Sequence, residues 1–321
     1  RAFAVAQDVP VIDGVDGGAT PDQVRAFQAG LPAGAAMMIK AVAGGGGRGM
    51  RRVEAGEDPA VAFAACAQEA LAAFGDDRLY AERFIAAARH IEVQVAGDGT
   101  RSVAIHDREC SLQRRRQKMI EFAPAIGLTP PLRARLQAWS VRMAEAAGLR
   151  GLATFEFLLD VADGETAVFI EANARLQVEH TVTEAVTGLD LVQIQLRLAG
   201  GETLADVGLA DGPPPVRGNA VQLRVNLERI AADGSVSGGG GVIARYEPPS
   251  GPGVRVDGAG FAGYRPSPAF DSMIAKVIVH SPDENVRAVL ARAGRAAAEF
   301  RLNGVDSNLA LLRAILEAPE V

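Results

Sequence analysis

An apolar run from Ala167 to Ile170 leads into a segment where polar residues recur at every second position. In an extended chain, alternate side chains point to the same face. We therefore expect one wall to carry carboxylate, amide and guanidinium groups from Glu171, Asn173, Arg175, Gln177 and Glu179. Burying such a row is costly unless the charges are paired or bind an ion. A solvated polar strand face is the ordinary alternative, and the apolar strand before it and the alternating charge signs argue against it.

A second apolar strand is predicted from Ala153 to Leu159, and Asp163-Gly164 between the two strands is typical of a two-residue hairpin turn. With that turn, Glu156 stands directly opposite Glu171. Two facing carboxylates repel each other, and a hard cation between them removes the repulsion. The sequence therefore predicts a Mg²⁺ or Mn²⁺ site here. An edge pair exposed to water is the alternative.

Glycines dominate the loop after the apolar run from Ala36 to Val42. Glycine lets the backbone approach a phosphate closely and point N–H groups at it. A generic dinucleotide-binding pattern fits Gly44, Gly46 and Gly49. That fold needs a helix straight after the loop, whereas Arg51 to Glu54 is typical of a strand, and the Lys-Ser/Thr of a Walker loop is missing. The pattern favours a hairpin that closes over a nucleotide, with Lys40 near the phosphates, over a loop without a ligand.

These features resemble the biotin carboxylase family, a branch of the ATP-grasp enzymes that uses ATP and bicarbonate to carboxylate protein-linked biotin. The resemblance covers nearly the whole chain. Its motifs are Ile39-Lys40-Ala41 before the glycines, Glu82-Arg83-Phe84-Ile85, His90 to Val95, Glu109 to Lys118, Gln177-Val178-Glu179-His180, Gly253-Val254-Arg255 and Phe270-Asp271-Ser272-Met273.

The resemblance implies an α+β architecture: an ATP-grasp fold with a mobile glycine-rich lid, followed by a mainly antiparallel β biotin carboxylase C-terminal domain. We expect the ATP-grasp domain at residues 1–211, with the lid at about 12–84, and a truncated C-terminal domain at 212–321. Relative to the family, we expect an N-terminal domain to be missing. The chain has no Met-Lys-Met biotin-acceptor motif, so biotin is expected on a separate carrier domain.

The resemblance also implies site residues. ATP-binding residues would be Lys40, Gly44, Gly45, Gly46, Gly47, Gly49, Glu82, Phe84, Ile85, His90 and Gln113. A purely structural His90 is the alternative for that residue. The metal would be held by Glu156, Glu171 and Asn173, and bicarbonate by Lys118, Arg175, Gln177, the Val178 backbone and Glu179.

Catalytic roles are implied for Glu179, Arg255, Lys118 and Arg175. Glu179 would take the bicarbonate proton, so that the oxygen attacks the γ-phosphate of ATP. The carboxyphosphate formed would give CO₂ and phosphate, and that phosphate can deprotonate biotin. Arg255 would stabilise the enolate-like oxygen of the ureido ring; a surface arginine is the alternative.

Three positions depart from the family pattern. Arg116 stands where many members have His, Ala174 replaces a usual Thr, and Thr181 a usual Pro. None of these changes removes a charged catalytic group. Arg116 bears on nucleotide contacts and Thr181 on the rigidity of the turn after Glu179.

Composition agrees with this interpretation. A net charge of −6 and a pI of about 5.4 argue against a nucleic-acid partner, and no apolar run is long enough for a membrane span. Two cysteines make neither a disulfide framework nor a zinc site, which favours a cytoplasmic or organelle setting.

The expected partners are the carrier domain, a carboxyltransferase and further copies of the chain. An acyl-CoA is the favoured final acceptor, within fatty acid metabolism, although pyruvate or urea would use the same module. Another ATP-grasp ligase and a non-catalytic nucleotide-binding module are the alternatives.

Overall fold

The structure is a computed structural model that describes residues 1–43, 49–231, 233–267 and 269–319. It divides into two compact units. The smaller unit comprises Arg1–His90, Gln113–Gln117 and Glu156–Glu171. The larger comprises Ile91–Leu112, Lys118–Phe155 and Ala172–Val321. The predicted domain boundary at 211/212 and the lid limits stay predictions.

The helices in the described residues are α1 (Ala2–Ala6), α2 (Pro21–Gly30), α3 (Pro59–Phe74), α4 (Pro130–Ala146), α5 (His180–Thr187), α6 (Leu191–Ala199), α7 (Val286–Glu299) and α8 (Leu309–Leu316). The strands there are β1 (Gly14–Val15), β2 (Met37–Ala41), β3 (Met50–Val53), β4 (Leu79–Arg83), β5 (Ala88–Asp98), β6 (Ser102–Arg114), β7 (Gln117–Ala123), β8 (Arg150–Asp160), β9 (Ala167–Asn173), β10 (Asn219–Asn226), β11 (Glu228–Ile230), β12 (Val236–Gly238), β13 (Gly241–Glu247), β14 (Val254–Gly258), β15 (Met273–Ser281) and β16 (Arg301–Val305). Within the described residues, none of the helices combines the length and the apolar character needed to cross a bilayer.

Local signals explain where the helices begin and end. The side chains of Thr20, Asp58 and Thr129 accept hydrogen bonds from backbone N–H groups in the first turns of α2, α3 and α4, and a proline follows each cap. Gly75 ends α3 in the left-handed conformation, as Gly188 does for α5. These caps and prolines therefore set the starts of the three helices.

In the smaller unit, a four-stranded sheet has the strand order β1–β4–β2–β3 with antiparallel pairing. Met37, Ile39 and Ala41 alternate along β2 and pack into an apolar cluster with residues of α2, α3, β3 and β4. Lys40 lies between Ile39 and Ala41 in sequence, so its side chain is on the opposite face of β2. In register it pairs with Tyr80 on β4. The core therefore fixes one face of this sheet and leaves the other for polar side chains.

In the larger unit, antiparallel strands follow the order β14–β15–β10–β7–β6–β5. Their apolar residues alternate with polar ones. Val221, Leu223 and Val225 of β10 are buried in the main core with residues of β7, β15, α7 and α8. Gln222 and Arg224 point to the opposite face, where α5 packs on β10 and β15. Both faces of β10 and β15 are covered, which is why polar residues on them such as Gln222 and Lys276 are buried.

Two sequence predictions about local structure were wrong. The polar row is not one extended wall, because β9 ends at Asn173 and α5 begins at His180, with Glu179 as its N-cap. The β8–β9 connection is residues 161–166 and not a two-residue turn. There Asp163 accepts backbone hydrogen bonds from Glu165 and Thr166, an Asx-type turn that stabilises a longer loop.

The segment from Val9 to Ile12 makes one parallel bridge, between Val11 and Phe169. The short strand β1 lies in the glycine-rich stretch that follows this segment. Gly14 pairs there with Glu82, and a Cβ at Gly14 would lie 2.4 Å from the Ala81 carbonyl oxygen. Glycine allows this close pairing.

Candidate functional site

The polar face of the four-stranded sheet carries the predicted phosphate and adenine residues. Lys40 on β2 forms an ion pair with Glu82 on β4, and its Nζ lies 5.9 Å from the centre of the Tyr80 ring. Burial, followed by the charges of Glu82 and Glu171, raises the pKa of Tyr80. Lys40 and Glu82 are thus brought together, with most of each side chain shielded from water.

The glycine-rich loop is described only at its end. Gly44, Gly45, Gly46 and Gly47 lie outside the described residues. Gly49 has a φ of +66°, and a Cβ there would approach the Ala41 Cβ to 2.8 Å. Its carbonyl oxygen accepts a hydrogen bond of 2.8 Å from the Ala41 N–H. Glycine at this position therefore lets β3 start directly beside β2.

Phe84 and Ile85, the two predicted adenine neighbours after β4, are both half-buried. The Phe84 N–H donates to the Ala36 carbonyl oxygen at 2.8 Å, and the Arg52 guanidinium lies 4.2 Å from the centre of its ring. Arg116, the residue in place of a usual His, points a guanidinium nitrogen at the Met38 sulfur, 3.6 Å away. Arg116 therefore reaches the same sheet face as Lys40.

His90 links a predicted ATP residue to a predicted metal ligand. Its Nδ1 lies 2.8 Å from Gln113 Nε2, and its Nε2 lies 2.7 Å from a carboxylate oxygen of Glu156. One ring nitrogen of His90 therefore faces the Gln113 amide, and the other faces the Glu156 carboxylate. Glu156 is only 3% exposed. The structure therefore unites three of the predicted nucleotide-side residues: His90, Gln113 and Glu156.

The other predicted metal ligands, and the predicted bicarbonate residues apart from Lys118, lie after β8. Glu171 is exposed, on β9. Asn173, the last residue of β9, accepts a side-chain hydrogen bond of 3.3 Å from the exposed Arg175. Gln177 is buried in the turn before α5. The facing of Glu156 and Glu171 stays a prediction.

The larger unit contains a continuous network of six charged side chains with alternating sign, four of them buried and two, Lys118 and Arg224, largely buried. In order, it runs Glu121, Arg224, Glu179, Lys118, Glu92 and Arg108. The Glu179 carboxylate is at its centre, with Lys118 Nζ at 2.5 Å and an Arg224 guanidinium nitrogen at 2.9 Å. The three carboxylates and the three cations balance in charge, and their mutual attraction offsets the cost of removing each charge from water.

Uncharged side chains form hydrogen bonds to the residue at each end of this network. Arg108 is fully buried and also donates to Gln94 at 2.8 Å, Thr183 at 3.0 Å and Thr154 at 3.1 Å. At the other end, Glu121 accepts from Gln222 at 3.0 Å, and Gln222 accepts in turn from the Thr181 hydroxyl. Thr181, the residue in place of a usual Pro, thus joins the network that holds Arg224.

Glu121 has an unusual proton affinity. Burial raises its pKa to about 7, Arg224 opposes the rise, and the nearby Glu179 charge adds to it. A carboxyl group without water around it resists ionisation unless cations compensate fully.

Two side chains fix the backbone just before Glu179. His180 Nδ1 lies 2.7 Å from the Gln177 carbonyl oxygen, and burial lowers the His180 pKa, so the neutral ring donates through Nδ1. Lys276 on β15 donates to the Val178 carbonyl oxygen at 3.0 Å. Both carbonyls of this short turn are therefore held by side chains.

Arg255 on β14 is bound by two carboxylates. It forms a fork to Asp257 at 2.7 and 2.9 Å and an ion pair of 2.7 Å with the buried Glu184 of α5. These hydrogen bonds raise the Arg255 pKa, Asp257 foremost. Gly253 before it has a φ of +74°, and a Cβ there would lie 2.4 Å from the His280 carbonyl oxygen, so the motif requires glycine.

A cavity of about 540 Å³ opens beside Arg255. Its walls come from the end of α5, the start of α6 and strands β14 and β15. Glu184, Asp190 and Arg255 supply charge, and Leu189, Val192 and Ile278 supply apolar surface. A ligand with both polar and apolar parts fits such a lining.

The sequence interpretation missed several residues of the buried network: Glu92, Arg108, Glu121, Thr181 as a hydrogen-bond donor, Gln222, Arg224 and Lys276. The signal was present in β10, where polar Gln222 and Arg224 alternate with apolar residues. A second signal is that the chain has only three lysines among 33 basic residues: Lys40, Lys118 and Lys276.

Comparisons with known proteins agree with this geometry. Residues 1–207 match the family described as "Carbamoyl-phosphate synthase L chain, ATP binding domain", and residues 222–321 match "Biotin carboxylase C-terminal domain". The first of these matches places the chain among ATP-grasp proteins. The chain belongs to the biotin carboxylase family, and the predicted α+β fold class is confirmed.

Three relatives illustrate this. Human mitochondrial pyruvate carboxylase is 42% identical over 98% of the chain, which spans 26% of that protein's length. The biotin carboxylase domain dimer of Hydrogenobacter thermophilus 2-oxoglutarate carboxylase, in complex with MgADP, ADP and bicarbonate, is 34% identical with a TM-score of 0.90; the match covers 99% of this chain and 68% of that one. A single-chain, multi-domain long-chain acyl-CoA carboxylase is 42% identical with a TM-score of 0.83, covering 100% and 29%.

Proposed function

We propose that this chain carries out ATP-dependent carboxylation of biotin on a carrier domain, with bicarbonate as the carbon source and carboxyphosphate as the intermediate. The observation that carries the proposal is the Glu179 carboxylate between Lys118 and Arg224. A general base must be fixed beside the proton it removes. Buried ion pairs on both sides fix Glu179 in that way.

Bicarbonate would bind at the turn before α5. Arg175, Gln177 and the Val178 backbone supply donors, and Lys118 supplies positive charge beside Glu179. Glu179 then takes the bicarbonate proton while a bicarbonate oxygen bonds to the γ-phosphorus of ATP. The bond from that phosphorus to the ADP oxygen breaks, and ADP leaves. Carboxyphosphate then divides into CO₂ and phosphate, and the phosphate takes the ureido N–H proton of biotin. The deprotonated ureido nitrogen bonds to the CO₂, which gives carboxylated biotin.

ATP would lie along the polar face of the four-stranded sheet. When ATP binds, Lys40 would leave its ion pair with Glu82 and contact phosphate oxygens. The residues after β4 would contact adenine. Glu156, Glu171 and Asn173 offer two carboxylates and an amide, hard oxygen donors that suit Mg²⁺ or Mn²⁺, and the buried Glu156 is already oriented by His90. A metal bound there supplies positive charge against the phosphates.

Biotin would enter beside Arg255. The guanidinium is preorganised by Asp257 and Glu184, so it needs little rearrangement to stabilise an enolate-like ureido oxygen. The adjoining cavity has room for the bicyclic ring system or its chain. The carrier and a carboxyltransferase are the partners this reaction requires, and the dimer in the Hydrogenobacter relative supports a homo-oligomer.

The final acceptor of the carboxyl group is proposed to be an acyl-CoA. Acyl-CoA carboxylation, within fatty acid metabolism, is supported by the 42% identity to the long-chain acyl-CoA carboxylase. The human pyruvate carboxylase has the same identity. Assaying the full-length protein with pyruvate and with acyl-CoA substrates separates these two outcomes.

The Glu179→Gln variant of the full-length protein tests the reaction. It keeps the side-chain shape and removes the base. Bicarbonate-dependent ADP release and transfer of labelled carbonate to biotin should each fall by about two orders of magnitude or more, with ATP affinity nearly unchanged. Glu202→Gln, at a surface ion pair with Arg197, is the matched control. Loss of ATP binding would make Glu179 structural, and near-normal carboxylation would place the base elsewhere.

Hydrogen exchange tests the lid. On addition of ATP, the amides of residues 44–49 should gain protection, and the segment from about 12 to 84 should respond as a unit, since closure excludes water from a reactive intermediate. Absence of added protection at residues 44–49, with ATP bound, would contradict a phosphate-binding loop.

A further inference from the structure

Lys276 has no role in the proposal above, yet it is buried beside the bicarbonate residues. It lies in the middle of β15, only 9% exposed. In register it stands between Arg224 on β10 and Asp257 on β14. Nearly every other cation in the chain is arginine, and the other two lysines, Lys40 and Lys118, are both predicted site residues.

The contacts of Lys276 reach two parts of the site at once. Its Nζ lies 3.0 Å from the Val178 carbonyl oxygen and 3.5 Å from an Asp257 carboxylate oxygen. Asp257 holds Arg255 through two hydrogen bonds. One ammonium group therefore touches both the turn proposed for bicarbonate and the support of the arginine proposed for biotin.

The contact with Val178 also orients backbone donors. A peptide unit is planar and trans, so the N–H of Glu179 points away from the Val178 carbonyl that Lys276 holds. Likewise, the N–H of Val178 points away from the Gln177 carbonyl that His180 holds at 2.7 Å. Within the described residues, neither N–H donates to a protein acceptor. Two successive N–H groups of this kind can bind an anion.

The geometry points to Lys276 as a positioning residue that aligns the bicarbonate-binding backbone with Arg255. This inference rests on the proposed function and extends it. A single small ammonium suits the task, because it contacts two acceptors in different directions, whereas a guanidinium presents a longer, planar fork. Burial lowers the Lys276 pKa and Asp257 opposes that shift, as expected for a cation enclosed with one carboxylate.

Lys276→Met in the full-length protein is the test, assayed by bicarbonate-dependent ADP release and by carboxylation of biotin. We expect the KM for bicarbonate to rise at least about tenfold while the KM for ATP stays within about twofold. Carboxylation of biotin should fall further than ADP release, because Arg255 loses alignment as well. Arg245→Met, which removes a surface ion pair with Glu247, is the control and should change neither constant.

An unchanged bicarbonate KM in folded Lys276→Met, or an equal rise for ATP and bicarbonate, would overturn the assignment. If that variant does not fold, Lys276→Arg decides, since it keeps the charge. A selective rise in bicarbonate KM supports the positioning role, and constants like those of the wild type overturn it. A wild-type protein without bicarbonate-dependent ADP release would instead contradict the proposed function itself.

Discussion

Arg224 and Lys276 stand directly opposite each other on neighbouring antiparallel strands, although both are cations. Like charges in that position destabilise a sheet unless other groups compensate. Here each cation holds one of two consecutive residues: Arg224 binds the Glu179 carboxylate, and Lys276 binds the Val178 carbonyl. The strands β10 and β15 thereby fix the turn that begins α5 from two sides. Glu121 and Asp257, on the neighbouring strands β7 and β14, also offset the two positive charges.

Arg224 should matter strongly for stability. Arg224→Met removes a partner from both Glu121 and Glu179, and breaking a buried pair in this way typically costs about 3–5 kcal/mol. Urea denaturation measures the loss in the free energy of unfolding. Arg229→Met is the matched control, because Arg229 pairs with Asp306 on the surface and should cost at most about 1 kcal/mol. Equal losses in the two variants would contradict a buried network.

Glu121 should make stability depend on pH. Its pKa is raised from 4.5 to about 7 in the folded protein, so the folded state binds this proton more tightly than the unfolded state. The protonated Glu121 carboxyl therefore adds to the free energy of unfolding, by on the order of 3 kcal/mol. This contribution is fully present below about pH 4.5 and is lost as the pH rises through about 7. The difference in unfolding free energy between wild type and Glu121→Gln should therefore shrink or reverse over that range. A difference independent of pH would show that Glu121 does not titrate there.

Thr181 should contribute through its hydroxyl. In Thr181→Val the Gln222 oxygen loses its donor while it stays buried, which typically costs about 1–3 kcal/mol. Thr181→Ser keeps the hydroxyl and should lose much less. Thermal unfolding compares the two variants. Similar losses for both would contradict a dominant role of the hydroxyl, because Val keeps the Thr methyl and lacks the hydroxyl, whereas Ser keeps the hydroxyl and lacks the methyl.

The proposed metal ligands can be tested by charge removal. Glu156→Gln and Glu171→Gln should each sharply reduce ATP cleavage and shift its dependence to higher Mg²⁺ concentration, because each variant removes one carboxylate from the site. Glu165→Gln, exposed in the loop between the two strands, serves as the control. Unchanged rates and metal dependence in both ligand variants would contradict the assignment.

Much of the local structure was predictable from the sequence. Caps and first-turn prolines located α2, α3 and α4, because their hydrogen bonds lie within a few residues. The start of α5 was missed, since the period-two polar pattern before it continued past the real end of β9. At Asn173 the chain turns, and Gln177 and Glu179 become buried in a different setting from the exposed Arg175.

The buried network was beyond a sequence-only prediction for a different reason. Glu121, Arg224 and Lys276 are far apart along the chain, and only the register of β7, β10 and β15 brings them onto one face. Charged residues in strands are usually solvent-exposed. Their burial here depends on α5 packing over that face, and the alternation of polar and apolar residues in β10 does not show which element covers the polar side.

The strand β10 alternates residues of the main core with residues that hold Glu179. A change in volume at Leu223 is therefore felt at Gln222 and Arg224 through the same few bonds of backbone, because packed interiors transmit small shifts. With Glu179 as the proposed base, a substitution in this part of the core should affect catalysis as well as folding. A change of volume at Leu223 that leaves the protein folded should then lower the rate of bicarbonate-dependent ADP release.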